Sequence, residues 1–454
     1  MSITQTIFKL LPYKFQNLAI TLVNSNLYRV RHSDKYKNYF GYYKKWDNAN
    51  NADIKEEEAK RFNSFLRYVK KNSEWYKGKF SEESISSSDL SSIPILEKKE
   101  IISNLNKIKT LNEKNGLVSL TGGTTGASMK VIYTKSDMQE RFAILDNFRG
   151  QHGYKLGKKT AWFSGKNLIS ENDLNKGICS HYDFINKIRF YSTFNINKKN
   201  FDMYWESLNK FKPEFIVGFP SSVYEICEIA DSQGLRLDTK VKVFFPTAET
   251  VTLQHREVIS KVLGCKLVDQ YASSEGAPFI LECKKGRLHI HPLTGIFEVV
   301  DENMQPAMEG ELLVTSFTTK GTPLIRYRVG DRIKLAPKDE KCTCGSAFPI
   351  VDKIEGRSTD YILSPTHGKV NLGNISNSTK DVAGIIQFQV IQHSIENLEV
   401  LVVANDDFVE KEQYKFKQAL VGRFGSQLRI DMKMINQIPK EKSGKFRLVK
   451  NLIV

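Results

Sequence analysis

Cysteine is scarce in this chain of 454 residues, with only six, at 179, 227, 265, 283, 342 and 344. Such sparse, irregular spacing excludes the disulfide framework of a small secreted domain and points to a reducing compartment, the cytoplasm. Also missing is any run approaching the roughly 18 uninterrupted apolar residues of a membrane span. The opening stretch MSITQTIFKLLPYKFQNLAITLV is apolar in patches, but Lys9, Pro12, Lys14 and Gln16 break it and no small-residue cleavage site follows. It reads as neither a signal peptide nor a span; the expectation is a helix packed on its own domain, with at most peripheral membrane contact. Internal repeats and low-complexity segments are likewise missing.

No block of one charge sign stands out either. The formal charge is +16, which admits nucleic acid, an anionic membrane face or a polyanionic small ligand as partners. The lysines, however, are scattered through an Asn/Lys-rich composition. No recognised nucleic-acid module or aromatic-interleaved basic stripe appears, so a basic nucleic-acid-binding protein is the lesser alternative and no nucleic-acid partner is expected. Hydrophobic residues at 40% and charged residues at 26% suit an ordinary globular core, and the length allows two or more domains.

Against these absences stands VSLTGGTTGASMKV, Val118 to Val131, where a strand-like run opens into Thr121, Gly122, Gly123, Thr124, Thr125 and Gly126. Three glycines and three threonines in six positions leave backbone N–H groups and hydroxyls bare for polyphosphate oxygens. The loop lacks the Gly-Lys-Ser/Thr tripeptide of a Walker A motif.

The first hundred residues read as largely helical. From Asp53 to Lys70, for example, Phe62, Phe65, Leu66 and Val69 recur at helical spacing. Between about 160 and 320, the runs TAWFSG, EFIVGFP, VKVFFPT and KLVDQY alternate with helical patterns, which predicts mainly parallel sheet with crossover helices. Ligands in such sheets sit at the carboxyl ends of strands. Small or polar residues fit for ligand contact stand at three strand ends, namely Gly218-Phe219-Pro220-Ser221, Thr247-Ala248-Glu249 and Tyr271-Ala272-Ser273-Ser274-Glu275-Gly276. GELLVTSF followed by PLIRYRVGD predicts a β-hairpin ending in Asp331. The last hundred residues, with IIQFQVI, LEVLVV and a helix near Glu410 to Arg423, predict a small α+β domain.

Taken in order, TGGTTGASMK, YASSEG, RYRVGD, EGRSTD and PKEKSGK resemble the signature segments of adenylate-forming enzymes. The resemblance covers nearly the whole chain. It is nearest to the phenylacetate-coenzyme A ligase group and its CapK-type branch, linked to polysaccharide biosynthesis. It implies an α/β fold: a large N-terminal domain with mixed and parallel sheets and crossover helices, plus a small mobile α+β C-terminal domain. We expect a helical part at 1–110, a nucleotide- and acyl-binding core at 111–355 and the lid at 356–454.

The resemblance further implies carboxylate adenylation by ATP and transfer of the acyl group to coenzyme A, in a monomer or homodimer. Transfer of an acyl or aminoacyl group to a sugar in capsule or O-antigen assembly is the alternative. Thr121, Thr124 and Thr125 with Gly122, Gly123 and Gly126 then cradle the phosphates of ATP, and Glu275 holds Mg²⁺ through hard carboxylate oxygen. Tyr271 stacks on adenine, Ala248 and Glu249 line its other side, Ser274 lies in the same nucleotide loop, Asp331 takes the ribose hydroxyls, and Arg357 sits near ribose and hinge. Phe219, Pro220, Ser221 and Ala272 line the pocket of a small carboxylic acid. Lys445 delivers its charge to the transferring phosphate, with Lys440 and Lys442 as neighbours of no assigned role. Two segments depart from the usual pattern: Thr359 precedes Asp360 where the family often has Asp-Asp, and PTHGKVNLGNIS, with Gly368 expected to approach pantetheine, is unusual after the hinge.

Cys342 and Cys344 in KCTCGSAFP, together with Cys283 and His289 in ECKKGRLHIH, offer the four ligands of a tetrahedral, structural zinc site. His291 competes with His289 for the fourth place.

Overall fold

The structure is a computed structural model that describes residues 8, 10–79, 86–87, 90–120, 129–164, 169–273, 275–357, 361–366, 368–371, 375, 377–379, 382–441 and 446–453. The chain divides into two compact units, each assembled from separate segments. Met1–Asn24, Leu156–Val268 and Glu355–Val454 form one; Ser25–Lys155 and Asp269–Ile354 form the other.

A six-stranded sheet organises the first unit, in the order Ser180–Asp183, Ile188–Ser192, Thr160–Ser164, Phe215–Gly218, Val243–Pro246, Lys266–Leu267. Every neighbouring pair is parallel except the first, as the alternating strand and helix patterns predict. Parallel strands need crossovers, and helices Phe201–Phe211, Pro220–Ser232 and Leu253–Leu263 supply them. Phe215–Gly218 and Val243–Pro246 are buried at every residue, the mark of strands covered on both faces. The expected strand KLVDQY divides: Lys266–Leu267 closes this sheet, whereas Gln270–Tyr271 opens a strand of the sheet in the second unit.

The C-terminal part of the same unit carries a four-stranded sheet ordered Arg429–Met434, Asn397–Ala404, Ile385–Gln392, Val449–Asn451. Helix Glu410–Phe424 packs Phe416, Leu420 and Phe424 onto it, in a cluster with Phe388, Val390 and Val400. Ile386, Val403 and Ile438 from this part join the core of the six-stranded sheet beside Tyr204, Phe244 and Ile259. The N-terminal helix Tyr13–Arg31 is packed, but by its polar side: Gln16, Asn17, Thr21 and Asn24 are its buried residues.

In the second unit a seven-stranded sheet built on antiparallel ladders runs Gly295–Val300, Glu309–Ser316, Tyr327–Leu335, Ile350–Arg357, Leu288–Ile290, Ile280–Glu282, Gln270–Tyr271. The predicted pairing of GELLVTSF with RYRVGD is present, with Val314 opposite Tyr327. Helix Asn51–Asn72, capped by the Asn50 side chain on the Asp53 N–H, buries Ile54, Phe62, Phe65, Leu66 and Val69. Strands Leu117–Leu120 and Lys130–Tyr133 pair antiparallel, so the glycine-rich stretch joins two partnered strands. Helix Lys135–Gln151 differs from an ordinary surface helix because its buried residues include Asp137, Glu140, Arg141 and Arg149.

Candidate active site

Tyr271 and Asp331, read from separate motifs, meet in the second unit: the tyrosine hydroxyl donates to Asp331 Oδ2 at 2.6 Å. Tyr271 ends an edge strand, paired with Ile280, while Asp331 lies on Tyr327–Leu335 just after Gly330, whose φ of 85° falls where the strand's register shifts against its neighbour, a backbone state that glycine suits. A hydroxyl-to-carboxylate bond this short is charge-assisted and holds the two side chains together.

The loop between Tyr271 and Ala277 has a tight interior. Gly276 adopts φ +95°, and a Cβ there would lie 2.0 Å from Thr319 Cγ2 and 2.9 Å from the Tyr133 hydroxyl, so no other residue fits. Arg141, buried on helix Lys135–Gln151, supports the loop from beneath. Its Nη1 donates to Gly276 O at 3.0 Å, Ala277 O at 3.1 Å and Thr318 Oγ1 at 2.8 Å, and its Nη2 donates to Ser273 O at 3.2 Å. Its guanidinium also lies over the Phe279 ring. Glu275, 9% exposed, receives the Tyr327 hydroxyl at 3.2 Å and has Lys98 Nζ at 3.9 Å. Ala272 is exposed on the same loop.

The first unit places Phe219, Pro220 and Ser221 at the start of helix Pro220–Ser232, all buried. Gly218 precedes them with its α-carbon against the backbone of Phe163, where a Cβ would lie 2.1 Å from the carbonyl oxygen. Ala248 is exposed and holds φ +66°, a backbone state that a non-glycine residue adopts at a cost and that clusters at ligand sites. The carboxylate of Glu249 accepts from the Ser221 N–H at 3.1 Å and from the Phe446 N–H at 2.8 Å. Burial pushes its carboxyl above the usual carboxylate range, an effect the donors at Ser221 and Phe446 oppose.

Sequence reasoning left Lys440 without a role, yet its side chain is 3% exposed and paired with the 2% exposed side chain of Glu225 at 3.3 Å. Lys440 Nζ also donates to Thr193 O and, at 3.4 Å, to Ser222 Oγ. Gln437 Nε2 donates to Phe194 O and Ile196 O, both at 3.1 Å. The segment preceding Lys445 and the residue after it, Phe446, are therefore both fastened within this unit. Burial raises Glu225, and Lys440 opposes the rise. Arg357 ends strand Ile350–Arg357, and Gly368 opens the hairpin strand opposite Ser364. Thr121 to Gly126, Ser274, Thr359, Asp360, Lys442 and Lys445 lie outside the described residues.

Cys283, His289, Cys342 and Cys344 do come together, with their ligand atoms all within 4.8 Å of one another. His289, not His291, is the fourth member. Cys283 Sγ and Cys342 Sγ are 3.8 Å apart, and Cys344 Sγ lies 3.6 Å from His289 Nε2. A disulfide needs about 2.05 Å. A tetrahedron with metal–sulfur bonds of about 2.3 Å has an edge of about 3.8 Å. His289 Nδ1 bonds to Phe348 O at 3.0 Å, which turns Nε2 toward the sulfurs. His291 is buried instead against Tyr43 and Phe348, and burial lowers it to about 3.

Compared with solved structures, the chain aligns with the 2-hydroxyisobutyryl-CoA ligase crystallised in the postadenylation state with R3-HIB-AMP. The TM-score is 0.70 at 15% identity, over 89% of this chain and 91% of that one. The fold is therefore that of adenylate-forming CoA ligases. Residues 362–452 match the family model described as the CapK C-terminal domain. Protein CapK of Staphylococcus aureus is 33% identical over 461 residues, covering 97% of this chain and 98% of that protein, and the chain belongs to the CapK family. It is also homologous to the phenylacetate-coenzyme A ligase of Pseudomonas putida, 24% identical over 330 residues, 68% of this chain and 72% of the relative.

Proposed function

We propose that the protein activates a small carboxylic acid with ATP and passes the acyl group to coenzyme A. The observation that carries the proposal is the Tyr271–Asp331 hydrogen bond, which joins the adenine and ribose motifs of an adenylate-forming enzyme although 60 residues separate them in sequence. In the first step a carboxylate oxygen of the acid attacks the α-phosphorus, the bond to the β-phosphate breaks, and pyrophosphate leaves. In the second the thiolate sulfur attacks the acyl carbon and AMP leaves.

Anion attacks anion in the first step, so neutralisation and alignment dominate the barrier. Asp331 accepts from the ribose hydroxyls, Tyr271 offers its ring to adenine, and Ala248 with Glu249 line the other side. Thr121, Thr124 and Thr125 with Gly122, Gly123 and Gly126 receive the phosphates, Ser274 serves in the Tyr271 loop, and Arg357 sits by the ribose. Glu275, already aimed by Tyr327 and Arg141's hold on the loop, would carry Mg²⁺, which supplies charge neutralisation at the phosphates. Lys445 contributes its ammonium to the α-phosphate. Phe219, Pro220, Ser221 and Ala272 shape the acyl pocket.

The enzyme acts in the cytoplasm as a monomer or homodimer. Carboxylate-dependent exchange of labelled pyrophosphate into ATP tests the first half-reaction. Exchange by the native enzyme, and its loss in Lys445→Ala, is expected; full exchange in Lys445→Ala removes that lysine from the chemistry. AMP release that rises with coenzyme A supports the thiol acceptor, and release that responds only to a sugar replaces it.

The Cys283, His289, Cys342 and Cys344 cluster holds one structural zinc in this reading, because three thiolates and one imidazole leave no open position. Purified protein is expected to contain about one equivalent of zinc, and chelation is expected to lower the unfolding midpoint by several degrees. Less than about half an equivalent, with no change on chelation, overturns it.

A further inference from the structure

Helix Tyr13–Arg31 is amphipathic the wrong way round for a helix that buries apolar surface. Its inward residues are polar because they serve the open edge of the six-stranded sheet, where strand Ser180–Asp183 has no strand partner on its outer side among the described residues. Asn17 Oδ1 accepts the Tyr182 N–H at 2.9 Å, Thr21 Oγ1 accepts the Phe184 N–H at 3.3 Å, Tyr13 donates to Ser180 O at 3.0 Å, and Asn24 donates to Asp183 Oδ2 at 2.9 Å. An edge strand left open is a liability, and here side chains occupy it instead of another strand.

The consequence is a row of large apolar side chains facing out. Leu11 stands just before the helix, and Phe15, Leu18 and Leu22 follow at spacings of three and four residues, which keeps those three on one stripe of it. They are 38%, 58%, 44% and 61% exposed, with Leu10 and Val23 beside them at 80% and 61%. Along this segment of the sequence the charge is of one sign. The first 33 residues hold Lys9, Lys14, Arg29 and Arg31 and no acidic residue; Asp34 is the first. Lys14 and Arg29 are exposed at either end of the stripe.

We propose that this stripe seats the protein on an anionic lipid surface, the helix lying in the plane of the headgroups with its apolar row inserted and its exposed Lys14 and Arg29 among the phosphates. No helix among the described residues is long and apolar enough to cross a membrane, so the contact is interfacial. A second copy of the chain is the weaker occupant: six side chains on and just before one helix fall far short of the roughly 20–30 residues a side that a stable protein interface engages. The same cationic flanks would also oppose one another across such a pairing.

The test is sedimentation of the full-length protein with vesicles of phosphatidylcholine alone and of phosphatidylcholine mixed equally with phosphatidylglycerol. Binding to the mixed vesicles, weakened by salt and weaker on the neutral ones, is expected. The double variant Phe15→Glu/Leu22→Glu alters only outward positions; it should keep the native unfolding midpoint and adenylation rate and lose at least about tenfold in partitioning. Phe15→Ser/Leu22→Ser serves if the charged pair fails to fold. Lys14→Gln/Arg29→Gln should remove most of the preference for the anionic vesicles. Absence of binding to either vesicle, or binding unchanged in the apolar-row variants, overturns the proposal, as does a native dimer that the same variants convert to monomer.

Discussion

Arg141 shows what a single side chain does for the site without touching a ligand. Three loop carbonyls and the Thr318 hydroxyl depend on its guanidinium, so removing it strands buried acceptors at about 1–3 kcal/mol each. A lysine keeps the charge but not the fork that spans Ser273 O and Gly276 O. Arg141→Lys is expected to reduce carboxylate-dependent pyrophosphate exchange by about 100-fold, with the midpoint lowered by only a few degrees. Exchange within about twofold of native would contradict its positioning role. Tyr271, Glu275 and Asp331 could be proposed from the sequence because each stands in a short contiguous string. Arg141 was not, since its carbonyl partners lie 132 to 136 residues away and its helix reads as a run of surface charge. The one available signal was a helix without a clean apolar stripe, SDMQERFAILDNFRG.

Buried charge helps to fasten elements here beside the apolar packing. The segment carrying Gln437, Ile438 and Lys440 is clasped to helix Pro220–Ser232 through Glu225, and removing one partner of a buried pair costs about 3–5 kcal/mol. Glu225→Gln should therefore raise hydrogen exchange across residues 437–441 and slow adenylation. Adding Lys440→Met should restore much of the protection, whereas unchanged protection in Glu225→Gln would show the pair to be idle. The start of helix Lys135–Gln151 offers a pH signature. Asp137 accepts the Thr134 and Gly321 N–H groups, and burial lifts its carboxyl to about 6 from 3.8. A folded-state value above the unfolded one means the folded protein binds the extra proton. This group's contribution is thus full below about pH 4 and declines as pH rises to about 6, by roughly 2–3 kcal/mol in all. Asp137→Asn should remove that slope from urea titrations between those pH values; an unaltered slope would contradict the assignment. The polar docking of helix Tyr13–Arg31 was illegible for a related reason, because apolar periodicity tells which side is greasy and not which side an open sheet edge demands.

On the scale of the whole molecule, the parallel sheet, the Asp331 hairpin and the C-terminal α+β part could be read ahead from strand-length apolar runs alternating with helical ones, and the family from five short segments in order. The interleaving of the two units could not, because each is completed by pairings between distant segments that no local pattern announces, as in the division of KLVDQY between two sheets. The central claim is that this fold breaks the bond between the α- and β-phosphates of ATP for the sake of a carboxylate. The most direct measurement is the nucleotide product formed by native protein supplied with ATP, Mg²⁺ and coenzyme A across a panel of small carboxylic acids. Acid-dependent formation of AMP and pyrophosphate in equal amounts, abolished in Lys445→Ala, is the predicted result. ADP and phosphate as the acid-dependent products, or no acid-dependent nucleotide turnover alongside unimpaired ATP binding, would contradict it.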